Sequence, residues 1–162
     1  MSIKNVKPTR NSNFNQGYFK PKNPEKYIGP APIIYRSSWE RKFCIWCDEN
    51  DKVLKWSSEP VEIKYWFRKD NKAHRYYPDF YFKQLKQDGT TVEYLVEIKP
   101  KSQITKPKPP KKNSRKALNS YKFLAEQYVK NMYKYTAAKE YCQNRNWQFI
   151  VLTEDTILNR LK

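Results

Sequence analysis

Residues 91–99, Thr-Val-Glu-Tyr-Leu-Val-Glu-Ile-Lys, alternate with a period of two, which constrains them to an extended strand. Val92, Tyr94, Val96 and Ile98 point to one side, and Glu93, Leu95, Glu97 and Lys99 to the other. Glu97 and Lys99 therefore share a face, about 7 Å apart along the strand. A second extended stretch, Tyr76 to Phe82, precedes it, with Tyr77, Asp79 and Tyr81 on one face, and Asp88-Gly89 between the two marks a hairpin turn. A hairpin centred near residue 88 brings Asp79 opposite Glu97. A strict two-residue Asp88-Gly89 turn would pair Asp79 with Ile98 instead, so an odd-length loop or a bulge is expected. Two carboxylates converging beside a lysine make a hard-cation site, and oxygen ligands suit Mg²⁺ or Mn²⁺.

The rest of the chain supplies a frame for that hairpin. Ser37-Ser38-Trp39-Glu40 predicts a helix start, with Ser37 as N-cap and Glu40 completing a capping box. Trp39, Phe43 and Trp46 or Cys47 recur at helical spacing, and the helix is expected to end near Asn50. Val61, Ile63, Tyr65 and Phe67 alternate with Glu62, Lys64 and Trp66, which predicts a strand. Ala117 to Asn146 reads as helix, in one piece or two, and Gln148 to Leu152 as a short buried strand. Thr153 with Asp155 or Thr156 can start a last helical turn. The order helix, three-strand meander, helix, strand predicts an α/β domain with a mixed central sheet.

Charge narrows the partners. The 162 residues hold 33 Lys and Arg against 16 Asp and Glu, a net charge of +17, so the chain is expected to meet a polyanion, nucleic acid first. Residues 1–32 carry Lys4, Lys7, Arg10, Lys20, Lys22 and Lys26 against Glu25 alone, with few aliphatic residues. They read as a flexible basic arm ahead of a domain over residues 33–162. Pro100 to Lys116 holds four prolines, seven Lys or Arg and no acid, and is expected to be a loop or flap without helix or ladder. Its Lys101, Lys106, Lys108, Lys111 and Lys112 follow Lys99 directly, which suits them to phosphate contact. His74, the single histidine, and Arg75 lie just ahead of Asp79 and are candidates for the same task. If about 6–8 phosphates are neutralised, log affinity falls against log salt with a slope of about −5 to −7. No base-reading motif is evident, so little sequence specificity is expected. No apolar run approaches the roughly 18 residues of a membrane span, and no secretory leader is read at the start. The odd cysteine count (Cys44, Cys47, Cys142) suits a reducing compartment. Cys44 and Cys47 fall inside the predicted helix, which favours small buried thiols over a zinc site built with Cys142 and His74.

Tyr77-Pro78-Asp79-Phe80 and, with seventeen residues between Asp79 and Glu97, the run Glu97-Ile98-Lys99 resemble the PD-(D/E)xK signature of restriction-endonuclease-like nucleases. Tyr35–Phe43, Arg75–Phe80, Glu97–Gln103, Lys139–Cys142 and Phe149–Glu154 extend the likeness. Together they resemble the head completion nucleases of T4-like tailed phages over most of residues 17–155, and more distantly the endonuclease subunit of heteromeric transposases. The resemblance implies a restriction-endonuclease-like core and an Mg²⁺- or Mn²⁺-dependent DNA nuclease acting in head completion, during or after DNA packaging. It implies DNA and phage head or portal proteins as partners, in the host cytoplasm during virion assembly or in the virion itself. Position by position, it implies Asp79 and Glu97 as metal ligands, Lys99 as the group that stabilises charge on the reacting phosphate or helps orient the attacking water, and Glu40 as a further acid beside the metal. Gln103 falls close by. The alternative is a structural head protein that keeps the fold and binds DNA without cutting it. Unbridged acids at a DNA-facing site repel phosphate, which favours the nuclease.

Overall fold

The structure, a computed structural model, describes residues 16–159. In chain order it forms β1 (Gly17–Phe19), a 3-10 turn (Pro24–Lys26), β2 (Ile33–Tyr35), α1 (Ser38–Glu49), β3 (Val53–Ser58), β4 (Ile63–Phe67), β5 (Lys72–Tyr76), β6 (Phe80–Leu85), β7 (Thr91–Ile98), α2 (Lys101–Ile104), α3 (Arg115–Gln143), β8 (Gln148–Leu152) and α4 (Glu154–Asn159). The central sheet runs β3-β6-β7-β8, antiparallel across its first three strands and parallel between β7 and β8. It is the mixed α/β sheet expected from the element order. Among the described residues no helix is long and apolar enough to cross a membrane.

The alternation of β7 divides the core. Val96 and Ile98 join Phe80 and Phe82 of β6 under Phe43, Cys44 and Cys47 of α1, with Trp56 of β3 and Ile157 of α4 closing the layer. Leu95 faces the other way and packs with Ala138 and Cys142 of α3 and with Ile63, Tyr65, Phe67 and Tyr76 of the β4–β5 ribbon. The sheet thus lies between two layers, and burying each large side chain contributes about 1.5–3 kcal/mol. The three cysteines are free and buried, on α1 and α3, as their helical setting predicts.

α1 starts and stops as read: the Ser37 hydroxyl accepts from the Glu40 amide at 3.1 Å, and Asn50 is the C-cap. Elsewhere the strands and the proline-rich segment differ from expectation. The first strand of the meander is β3, not residues 61–67; a register shift between Val53 and Lys55 breaks the period of two that would have revealed it. Residues 61–67 contribute β4, which pairs with β5 in a separate ribbon inserted between β3 and β6. The stretch Tyr76–Phe82 is not one strand: Tyr76 ends β5, and Phe80 begins β6. Finally, the proline-rich segment is not loop throughout. Prolines stand at the N-cap of α2 and within the following loop, so α2 forms over Lys101–Ile104 and α3 already begins at Arg115. α3 is a single helix, and β8, at the sheet edge, is half-buried rather than buried.

The first 15 residues of the expected basic arm lie outside the described residues. From Gly17 onward the segment is folded: the Lys22 and Asn23 amides donate to the Asp48 carboxylate at 2.7 and 3.1 Å. Tyr27 packs edge-on against Trp56, ring centroids 4.7 Å apart. The domain therefore takes in residues well before 33, because these groups satisfy the buried end of α1.

Candidate active site

The β6–β7 hairpin sets the site. Phe80 pairs with Val96 and Leu85 with Thr91, so the loop spans residues 86–90, an odd length closed by Lys86 N–H donating to Thr90 O at 2.8 Å. Gly89 takes φ +81° in that loop, a conformation that favours glycine. One step beyond Phe80–Val96 places Asp79 opposite Glu97, the juxtaposition expected from the hairpin centre. Pro78 and Asp79 sit where the chain leaves the ribbon for the sheet. Asp79 is held there by its carbonyl, which accepts from Glu59 N–H at 2.9 Å, and by its Oδ2, which accepts from Ile98 N–H at 2.7 Å.

Glu97 is only 2% exposed. Its Oε1 stands 3.0 Å from Lys99 Nζ, and its Oε2 accepts from the Tyr76 hydroxyl at 2.7 Å. Burial drives the Asp79 carboxyl well above the usual carboxylate range; the negative charges of Glu97 and Glu40 push the same way, against Lys99. Burial also pulls on the Lys99 ammonium, but the charges of Glu97, Asp79 and Glu40 outweigh it and hold Lys99 above its ordinary value. Glu40 is raised by burial, opposed by Arg36 N–H and Ser37, and it lies in the field of Lys99. Its oxygens serve the helix start: Oε2 accepts from Arg36 N–H at 2.8 Å and Oε1 from the Ser37 hydroxyl at 3.1 Å.

Among the described residues no three His, Cys, Asp or Glu side chains are gathered closely enough to hold a metal ion. The reason is visible in the pairings: Glu97 is turned to Lys99 and Tyr76, and Glu40 to its cap. The donor set still fits a hard cation. Asp79 and Glu97 face each other with Lys99 as their close cationic neighbour, and the buried Tyr135 hydroxyl, in the field of both carboxylates, has no hydrogen-bond partner.

The sequence did not reveal Tyr76, Lys134 or Tyr135. Tyr76 comes from the ribbon, and its hydroxyl reaches Glu97 across a gap of 21 residues. The Lys134 ammonium lies 5.5 Å from the centre of the Tyr76 ring. Burial lowers its pKa, while Glu97 and Asp79 oppose. A helical repeat at Asn131, Tyr135, Ala138 and Cys142 would have identified the buried face of α3, but no sequence signal singles out Lys134.

The other predicted residues are dispersed. His74 Nε2 is 2.7 Å from Asp70 Oδ2, and its ring stacks on Tyr65. Arg75 is exposed, 3.6 Å from Glu62. Lys101 is tied to α4, through its amide to Glu154 at 2.8 Å and its ammonium to Asp155 at 3.1 Å. Gln103 lies on α2, where its carbonyl accepts from Asn131 Nδ2 at 3.5 Å. Lys106, Lys108, Lys111 and Lys112 are exposed on the loop before α3. The neighbouring acids are held elsewhere, Glu59 by Arg36 at 3.0 Å and Glu62 by the Tyr77 hydroxyl.

A mixed sheet with two acids facing across its central hairpin and a lysine beside them is the frame of a restriction-endonuclease-like nuclease, and residues 50–154 match the family described as TnsA-like endonuclease N terminal. The chain belongs to that family. It is also 36% identical over 142 residues to the head completion nuclease of Enterobacteria phage T4, a match covering 86% of this chain and 91% of that protein. No solved structure matches the chain significantly.

Proposed function

We propose that this chain is a divalent-metal-dependent deoxyribonuclease, using Mg²⁺ or Mn²⁺ and little sequence specificity, that acts on DNA in phage head completion. The observation that carries it is Asp79, just ahead of β6, set opposite Glu97 of β7 by the hairpin register, with Lys99 3.0 Å from Glu97. Two facing carboxylates at a DNA-binding site of a net-basic protein weaken DNA binding unless a cation bridges them to phosphate. The likeness to the T4 head completion nuclease supports the same biological setting, with head or portal proteins as partners.

Asp79 and Glu97 would hold the cation, with Glu40 beside them once released from its cap. The bound cation would polarise the phosphoryl oxygen and favour ionisation of an attacking water. Lys99, kept charged by its acidic neighbours, acts as a cation rather than a base and stabilises the negative charge that builds on the phosphate. Tyr76 orients Glu97 through the 2.7 Å hydrogen bond, and Lys134 adds a second positive group on the α3 side. The exposed lysines of the 105–114 loop contact phosphates away from the cut.

The test is cleavage of supercoiled and linear plasmid with Mg²⁺, Mn²⁺ or EDTA, beside the Asp79→Ala variant. Metal-dependent cutting, lost in the variant while DNA binding persists, is the expected result. Nicked circles or smearing from ends then distinguish endonuclease from exonuclease action. Salt-sensitive binding without cutting under either metal overturns the proposal in favour of a structural DNA-binding head protein.

A further inference from the structure

α3 has two dissimilar halves. All of its buried residues, Asn131, Tyr135, Ala138 and Cys142, lie in the second half, against the sheet and ribbon. The half before Asn131 has no buried residue and meets the turn between β4 and β5 through Glu126, 2.8 Å from Lys69, while the other end of α3 leads through a short turn into β8, whose Val151 pairs with Glu97. Along this outer half, Lys116, Phe123, Gln127, Lys130 and Lys134 recur at spacings of 7, 4, 3 and 4 residues and share one helix face. Lys134 marks where that face points, since it lies over the Tyr76 ring and in the field of Asp79 and Glu97.

Phe123 is out of place on such a face. It is 63% exposed, more than any other large hydrophobic side chain described, and stands in a row whose other members are cationic or polar. A phenyl ring has no group to offer a phosphate, and in water its apolar surface is unfavourable. What it can offer DNA is a flat face for a base, and a base presents its face only when it is unpaired. We infer that Phe123 stacks on an exposed base, so that this face of α3 receives the single-stranded flank of a duplex–single-strand junction while the adjoining backbone lies at Asp79 and Glu97. The positive row and the net charge of +17 favour DNA over an apolar protein partner. Phe123 lies about 16 Å from Lys134 along the helix axis, or about five base-pair steps at ~3.4 Å each. This inference rests on the nuclease reading and names the substrate structure for the same site.

The full chain, with Ca²⁺ replacing Mg²⁺ to prevent cutting, is titrated against a blunt duplex and the same duplex bearing an unpaired tail with 2-aminopurine. Wild type is expected to prefer the tailed duplex and to quench the 2-aminopurine signal by stacking. Phe123→Ala should lower that preference about 5- to 150-fold per stacked base and abolish the quench, whereas Phe123→Trp should retain both. Val129→Ser, on the opposite side of the same exposed half-helix, should leave the preference intact. An unchanged preference and quench in Phe123→Ala overturns the inference. Conversion of a dimer to a monomer by that variant, with the preference unchanged, overturns it in favour of contact between copies. Failure to bind either DNA overturns the nuclease reading itself.

Discussion

Asp48 and Glu97 are both acids buried in this domain, 1% and 2% exposed, yet their surroundings differ in kind. Asp48 is matched from all sides. Its carboxylate accepts the Lys22 and Asn23 amides, and its carbonyl accepts from Asn23 Nδ2 at 3.0 Å and Lys26 Nζ at 2.9 Å. It fastens the segment before β2 to the end of α1. Glu97 faces a second acid, and Asp79 is driven toward its neutral form by burial and by Glu97 itself. A buried acid satisfied by backbone amides belongs to the fold, whereas Asp79, pushed up by burial and by the acid it faces, is the kind of group that collects at functional sites, and with Glu97 it is the proposed place for a cation.

The sharpest way to break that comparison is Asp79→Asn. Cleavage should fall by at least about 10³-fold, because the variant removes one of the two carboxylates proposed to hold the cation. Stability should hold or rise, since like charges are relieved. The sign with pH follows from Asp79 binding its proton more tightly folded than unfolded: in EDTA, wild-type stability declines as pH rises through and above the ordinary carboxylate range. Urea titrations across pH should show that decline flattened in Asp79→Asn. If activity and stability are lost together, Asp79 is an acid of the Asp48 kind.

Asp48→Ala should do the reverse. It leaves two amides without their acceptor and should lower the unfolding free energy by about 2–4 kcal/mol, read from denaturant curves. Cleavage per folded molecule should be unchanged; a specific loss of turnover would put Asp48 in the functional class.

Tyr76→Phe refines the functional side of the contrast. It deletes the hydroxyl that orients Glu97 and little else, so metal affinity or activity should drop about 10- to 100-fold, with half-saturating Mg²⁺ raised. An unaltered Mg²⁺ dependence would reduce Tyr76 to packing.

The smallest effect is expected from replacing Lys106, Lys108, Lys111 and Lys112 together by alanine. Each ammonium withdrawn from a phosphate should make the slope of log affinity against log salt shallower by about 0.9, with turnover at saturating DNA retained. An unchanged slope would show that the loop does not touch the backbone.

The amino-acid order alone determined the hairpin register, the facing of Asp79 and Glu97, the Ser37–Glu40 cap and the mixed α/β order. Each of these depends on residues near in sequence, through a period of two, a loop length or one helical turn. Even the CxxC pair was legible, because its helix was. Three things were decided only in the tertiary structure. β3 entered the sheet although a register shift hid its alternation. The β4–β5 ribbon settled on α3 instead of beside β6, and segment 17–32 folded onto α1 because Asp48 needed its amides. With the ribbon and α3 in place, Tyr76, Lys134 and Tyr135 came to face the acids. Which strands become neighbours, and which side chains they bring along, depends on packing between segments far apart in the chain, and no local pattern records it.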